Sequence, residues 1–153
     1  MTDPGARRAL LRGPRSWRVA AFAWTAIVIV FGVLPVQGTV NAIAEGHDTL
    51  LTSAAHFVEY AILAFVLAVA LDDWRTSLRA LVGAGVAAAC LGALIELVQA
   101  PLPYRDCQLS DAVINVAGAG AGLALFSLAA RSRARRRIAS RMMLAATSDA
   151  GTS

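Results

Sequence analysis

The chain has 153 residues, 58% hydrophobic and only 16% charged, with a formal net charge of +4. Soluble domains carry about 45–50% apolar and about 25% charged residues, so the composition excludes an ordinary soluble domain and indicates a membrane protein of one-domain length. All 14 basic residues are Arg, and they crowd the two termini.

Residues 1–16 are polar and Arg-rich, and Arg7-Arg8 reads as a positive-inside anchor rather than an export signal. Residues 17–36 form the first apolar run. The run suits a span of about 20 residues and exceeds the roughly 7–15 of a signal-peptide core. Pro35 marks its end, Trp17 is expected at the interface and Trp24 toward lipid. A polar loop without Arg leads to the second span, residues 54–71, for which Thr52 or Ser53 supplies a cap hydroxyl.

A short turn holding Arg75 precedes the third span, residues 78–100, where Ala84, Ala88 and Gly92 recur every four residues as a small-residue packing face. Pro101 and Pro103 stop that helix, and Arg105 and Asp106 fill the next turn. The fourth span is residues 112–130, with Ser110 as its expected cap and Gly118 and Gly122 as a second packing pair. Cys90 reads as a small packing residue, and its depth separates it from the turn residue Cys107, so no disulfide is expected. Residues 131–153 form a basic tail, expected to be disordered from Thr147 onward.

These elements predict an all-α fold: an integral membrane bundle of four transmembrane helices over residues 17–130. The N-terminus, the second loop and the tail carry Arg, whereas the first loop carries none and the third only Arg105. The positive-inside rule then puts both termini in the cytoplasm and the protein in the plasma membrane as a multi-pass chain. The bilayer is its partner, no nucleic-acid role is expected, and the oligomeric state stays open. The basic tail can also hold anionic lipid headgroups.

With that topology, the second span enters, the third leaves and the fourth enters at one side. His56, Glu59 and Tyr60, then Glu96 and Gln99, then Asp111 and Asn115, gather at one depth. His56 and Tyr60 are four apart, Glu96 and Gln99 three, Asp111 and Asn115 four, so each pair shares a helix face. Arg105 belongs to the loop above them. An acidic side chain at mid-bilayer costs roughly 2.5–3.5 kcal/mol, less near the interface, and several on one side favour a shared site. Glu59, Glu96 and Asp111 bring three carboxyls against Arg105, so a charged His56, a protonated carboxyl or a bound cation would be needed for balance. The helix N-termini there add partial positive charge.

The pattern His56-Phe57-x-Glu59-Tyr60, Glu96-x-x-Gln99, Arg105, Asp111, Asn115 and Gly118 resembles the VanZ-like family over about residues 52–125. The resemblance implies a small multi-span bacterial membrane protein. The family's namesake is associated with low-level teicoplanin resistance, and tolerance of glycopeptide antibiotics is what the likeness would imply. In place of a basic pair before the His, this chain has Thr52-Ser53-Ala54-Ala55.

Three roles follow for the polar cluster. The first is binding or processing of a cell-envelope lipid or its headgroup. The second is a membrane-embedded hydrolase or transferase, with His56 or Glu59 as base, Glu96 or Asp111 as acid and Arg105 as anion clamp. The third is a structural or assembly role in which the polar residues lock the helices, although interhelical hydrogen bonds in membranes average only about 0.6 kcal/mol. Four spans leave little room for transport by alternating access. No spacing is a metal signature, no Ser- or Cys-centred nucleophile motif appears, and no cofactor is expected.

Overall fold

A computed structural model describes residues 14–33, 48–72, 74–101 and 109–150, with side chains described over 16–33, 50–71, 74–101 and 110–143. Four helices fill these residues: α1 (Pro14–Val33), α2 (Asp48–Asp72), α3 (Leu78–Gln99) and α4 (Leu109–Ala150). There is no strand among the described residues. Each helix is long and apolar enough to cross a membrane.

The helix limits follow local chemistry. Pro14 opens α1, where a missing N–H is no loss. The described helix closes at Val33, two residues before Pro35, which disfavours helical backbone at the residue preceding it. α2 begins at Asp48, so Thr52 and Ser53 lie inside the helix and are not its caps. Thr-Leu-Leu at 49–51 continues the apolar run far enough for the helix to start earlier than the hydropathy edge suggested. Ser110 likewise lies within α4, one residue after its start.

Ser77 caps α3. Its hydroxyl accepts from the Ala80 N–H at 3.3 Å, and its carbonyl accepts from the Leu81 N–H at 3.1 Å. The turn before it is unusual, because Trp74 (φ 71°) and Thr76 (φ 59°) both adopt left-handed backbone. That conformation costs a non-glycine residue about 1–2 kcal/mol. Thr76 Oγ1 donates to the Arg75 carbonyl at 2.6 Å, and Trp74 gains the ring contacts described below.

The helices alternate in direction, as the pairings show. Trp17 meets Phe65, and Trp24 meets the Glu59 carbonyl, so α1 and α2 are antiparallel. Gly92 lies against Tyr60 and Gly83 against Leu71, so α3 is antiparallel to α2 as well. α2 is the hub, packing on all three others and most extensively on α4. α2 and α4 run parallel, with Gly118 against the Phe57 backbone and Gly122 against the Ala61 backbone. A side chain at either glycine would strike a main-chain carbonyl, so the helices approach as closely as backbones allow.

α3 turns one stripe inward: Ala80, Ala84, Ala88, Gly92, Ile95 and Gln99. Cys90 lies off that stripe and is exposed, so it faces outward from the bundle rather than packing inside it. Two apolar clusters fill the middle. One joins Val28, Tyr60, Leu63, Ala64, Ala88, Ile95 and Ala119. The other joins Ala68, Val69, Ala84 and Phe126. Outside them, large apolar side chains such as Phe22, Leu97 and Val113 are exposed, as lipid-facing residues must be.

At the α2–α3 turn the second cluster becomes aromatic. Trp74 stacks on Phe126 with centroids 5.8 Å apart and meets Trp17 and Phe65 edge-on at 5.7 and 5.9 Å. The Arg133 guanidinium lies 3.5 Å from the Trp74 ring centroid. α4 does not end with the bundle. It continues through the basic tail to Ala150, where disorder was expected from Thr147. Ala, Arg, Met and Leu dominate residues 134–146 and are strong helix formers, so the helix propagates past its last buried residue, Ala130.

A polar end of the bundle as candidate functional site

The end opposite the aromatic turn carries the polar side chains singled out from sequence. Tyr60 on α2 is 2% exposed, and its ring lies across Gly92 of α3. A methyl on Gly92 would sit 3.1–3.4 Å from two ring carbons and the hydroxyl oxygen of Tyr60, so the glycine makes room for the tyrosine. Glu59 and Glu96 both lie near enough to act electrostatically on the Tyr60 hydroxyl. Thus α2 and α3 bring two carboxylates and a phenol into one neighbourhood.

One turn toward the polar end from Tyr60 stands His56, half-buried, with a buried Nδ1 that has no hydrogen-bond partner. His56 adjoins Phe57, whose backbone is against Gly118 of α4. Asn115 is one turn before Gly118, so the parallel register of α2 and α4 sets it near the level of His56. Asn115 is 6% exposed, and its Oδ1 is buried with no partner. An unpaired buried polar group costs about 1–3 kcal/mol. Glu96, one turn beyond Gly92, belongs to the same level on α3.

Gln99 behaves differently. It is 4% exposed, and its Nε2 donates to the Gly32 carbonyl of α1 at 2.5 Å. The bond meets a carbonyl in the last turn of α1, where helices have acceptors to spare. Gln99 therefore ties α1 to α3. Asp111 is half-buried in the first turn of α4, where its negative charge complements the helix N-terminus. It stands one turn farther out than Asn115. Arg105 lies outside the described residues.

Sequence reasoning missed two participants. Trp24 does not face lipid: its Nε1 donates to the Glu59 carbonyl at 3.0 Å, and its ring packs against the first core cluster. The available signal was the indole N–H itself, which in a dry environment needs an acceptor. Gly32 had no signal, because its role rests on a bond across 67 residues. Among the described residues, no three His, Cys, Asp or Glu side chains group as metal ligands.

Chemically, the polar end offers the three carboxyls of Glu59, Glu96 and Asp111, a phenol, an imidazole and the Asn115 amide at the boundary of an apolar bundle. Neither the comparison with curated proteins nor that with solved structures found a match. A model of the VanZ/LLP1 family does match, over residues 11–130, which takes in α1, α2, α3 and the bundle portion of α4. This four-helix membrane-spanning chain belongs to the VanZ/LLP1 family.

Proposed function

We propose that the polar end binds, and positions for processing, the headgroup of a cell-envelope lipid. The observation that carries the proposal is the pair of buried, unpartnered atoms, His56 Nδ1 and Asn115 Oδ1. They stand on two helices whose backbones touch one turn away. Buried polar atoms are nearly always paired, and a site awaiting a ligand is one physical reason for an exception. The depth supports a lipid, since a headgroup reaches this end of a spanning helix while its chains run along exposed apolar faces such as that of Leu97 and Val98. Glu59, Glu96 and Tyr60 supply acceptors and a hydroxyl beside the same place.

The test is to extract the full chain in mild detergent and identify retained lipids by mass spectrometry, beside Glu96→Gln and Asp111→Asn. Gln and Asn keep side-chain volume and hydrogen-bonding capacity but remove the negative charge. The expected result is one lipid class enriched on the native chain and reduced about tenfold or more in the variants, a loss of about 1.4 kcal/mol or more. Thermal stability should change by less than about 1 kcal/mol. Identical lipids on all three proteins would remove the basis for a headgroup site.

A further inference from the structure

Charge on the described side chains is segregated between the two ends. The acids Glu59, Glu96 and Asp111 all belong to the polar end. The arginines all lie at or beyond the opposite end, and every one is exposed. Arg18 comes from the start of α1, Arg75 from the α2–α3 turn and Arg79 from the first turn of α3. Five more occur between residues 131 and 137 of α4, followed by Arg141. Among the described residues, none of these arginines forms an ion pair. The sequence also places Asp72 and Asp73 beside the turn, but their side chains lie outside the described residues.

Two observations bear on the depth of this collar. Ala130 is the last buried residue of α4, and every described side chain from Arg131 to Met143 is exposed. Arg133 rests on Trp74, in the aromatic group that closes the bundle. Tryptophan rings favour the boundary between hydrocarbon and headgroups. From Arg131 to Arg137 the helix rises about 9 Å. A headgroup layer is about 5–8 Å thick on each side of the hydrocarbon core. A boundary at Trp74 would put Arg131 to Arg136 within the height of a phosphate layer and Arg137 at its outer edge, with Arg18, Arg75 and Arg79 at the same end of the bundle.

We infer that this arginine collar is a binding surface for the phosphate groups of anionic phospholipids in the surrounding bilayer. Guanidinium forks pair bidentately with phosphate oxygens. Exposed cations on separate elements leave room for several headgroups around the bundle. A zwitterionic headgroup offers the same phosphate, but its ammonium opposes the collar, so net negative charge decides the preference. Arg133 has a different role: its place over Trp74 makes it part of the packing.

The experiment uses the full chain in neutral detergent. Mixed micelles deliver either phosphatidylglycerol or phosphatidylcholine, and native mass spectrometry counts bound lipid. The variant combines Arg131→Gln, Arg135→Gln, Arg136→Gln and Arg137→Gln and keeps Arg133. Glutamine matches arginine closely in helix propensity, and these exposed side chains carry no bundle packing. The native chain should bind phosphatidylglycerol about tenfold more tightly than phosphatidylcholine at low salt, and the preference should disappear in the variant. Raising salt on the native chain should erode the same preference, a check that needs no substitution. Equal binding of the two lipids by the native chain would overturn the inference, as would a preference that survives in the variant. Inorganic phosphate or a nucleic acid displacing the lipid at matched charge would also overturn it, by assigning the collar to a soluble polyanion.

Discussion

Gln99 and Asn115 are the two buried polar side chains of the described bundle, and they are opposites. The Gln99 amide donates to the Gly32 carbonyl, whereas the Asn115 oxygen has no donor. Removing the first should therefore loosen α1, its partner. Gln99→Leu is expected to cost about 1 kcal/mol, within the range of interhelical hydrogen bonds in membranes, and to speed proteolysis or labelling near the end of α1. Unchanged stability and protection there would show that the bond holds nothing. That His56 with Tyr60 and Glu96 with Gln99 share a helix face was legible in the sequence from their spacing. What each one touches was not. The partner of Gln99 lies 67 residues away, and no local pattern carries that information.

The four spans were legible as elements, since runs of about 20 apolar residues bounded by Pro and Arg leave few alternatives. Their starts were less so. α2 and α4 begin before the residues that hydropathy marked, because polar and apolar residues alike continue a helix once it is nucleated. The glycines of α4 show what pattern can and cannot say. Gly118 and Gly122 lie against the backbone of α2, yet Gly120 between them has nothing within 4 Å of an added methyl. Gly118→Ala or Gly122→Ala should force α2 and α4 apart and cost about 1–3 kcal/mol, as overpacking does. Gly120→Ala should be neutral or stabilise by up to about 1 kcal/mol through helix propensity. Thermal unfolding in detergent distinguishes them, and equal effects at all three positions would refute the close contact of these helices.

Across the whole molecule, the two ends differ in kind. One is closed by Trp17, Phe65, Trp74 and Phe126 under Arg133, a group gathered from three helices and the α2–α3 turn that no spacing announced. The other holds Gln99, which ties α1 to α3, and two buried atoms without a partner, His56 Nδ1 and Asn115 Oδ1. A lock and a binding site differ in what happens when Asn115, with its unpaired oxygen, is removed. In a lock, Asn115 contributes to stability. In a site, it is retained at the expense of stability, and an apolar residue of similar volume relieves the unpaired oxygen. The most direct test is the thermal unfolding of Asn115→Leu against the native chain, both stripped of lipid in the same detergent. The proposed headgroup site predicts that the variant is more stable, by about 1–3 kcal/mol. A variant less stable than the native chain by a similar amount would contradict it, because Asn115 would then be holding the helices together.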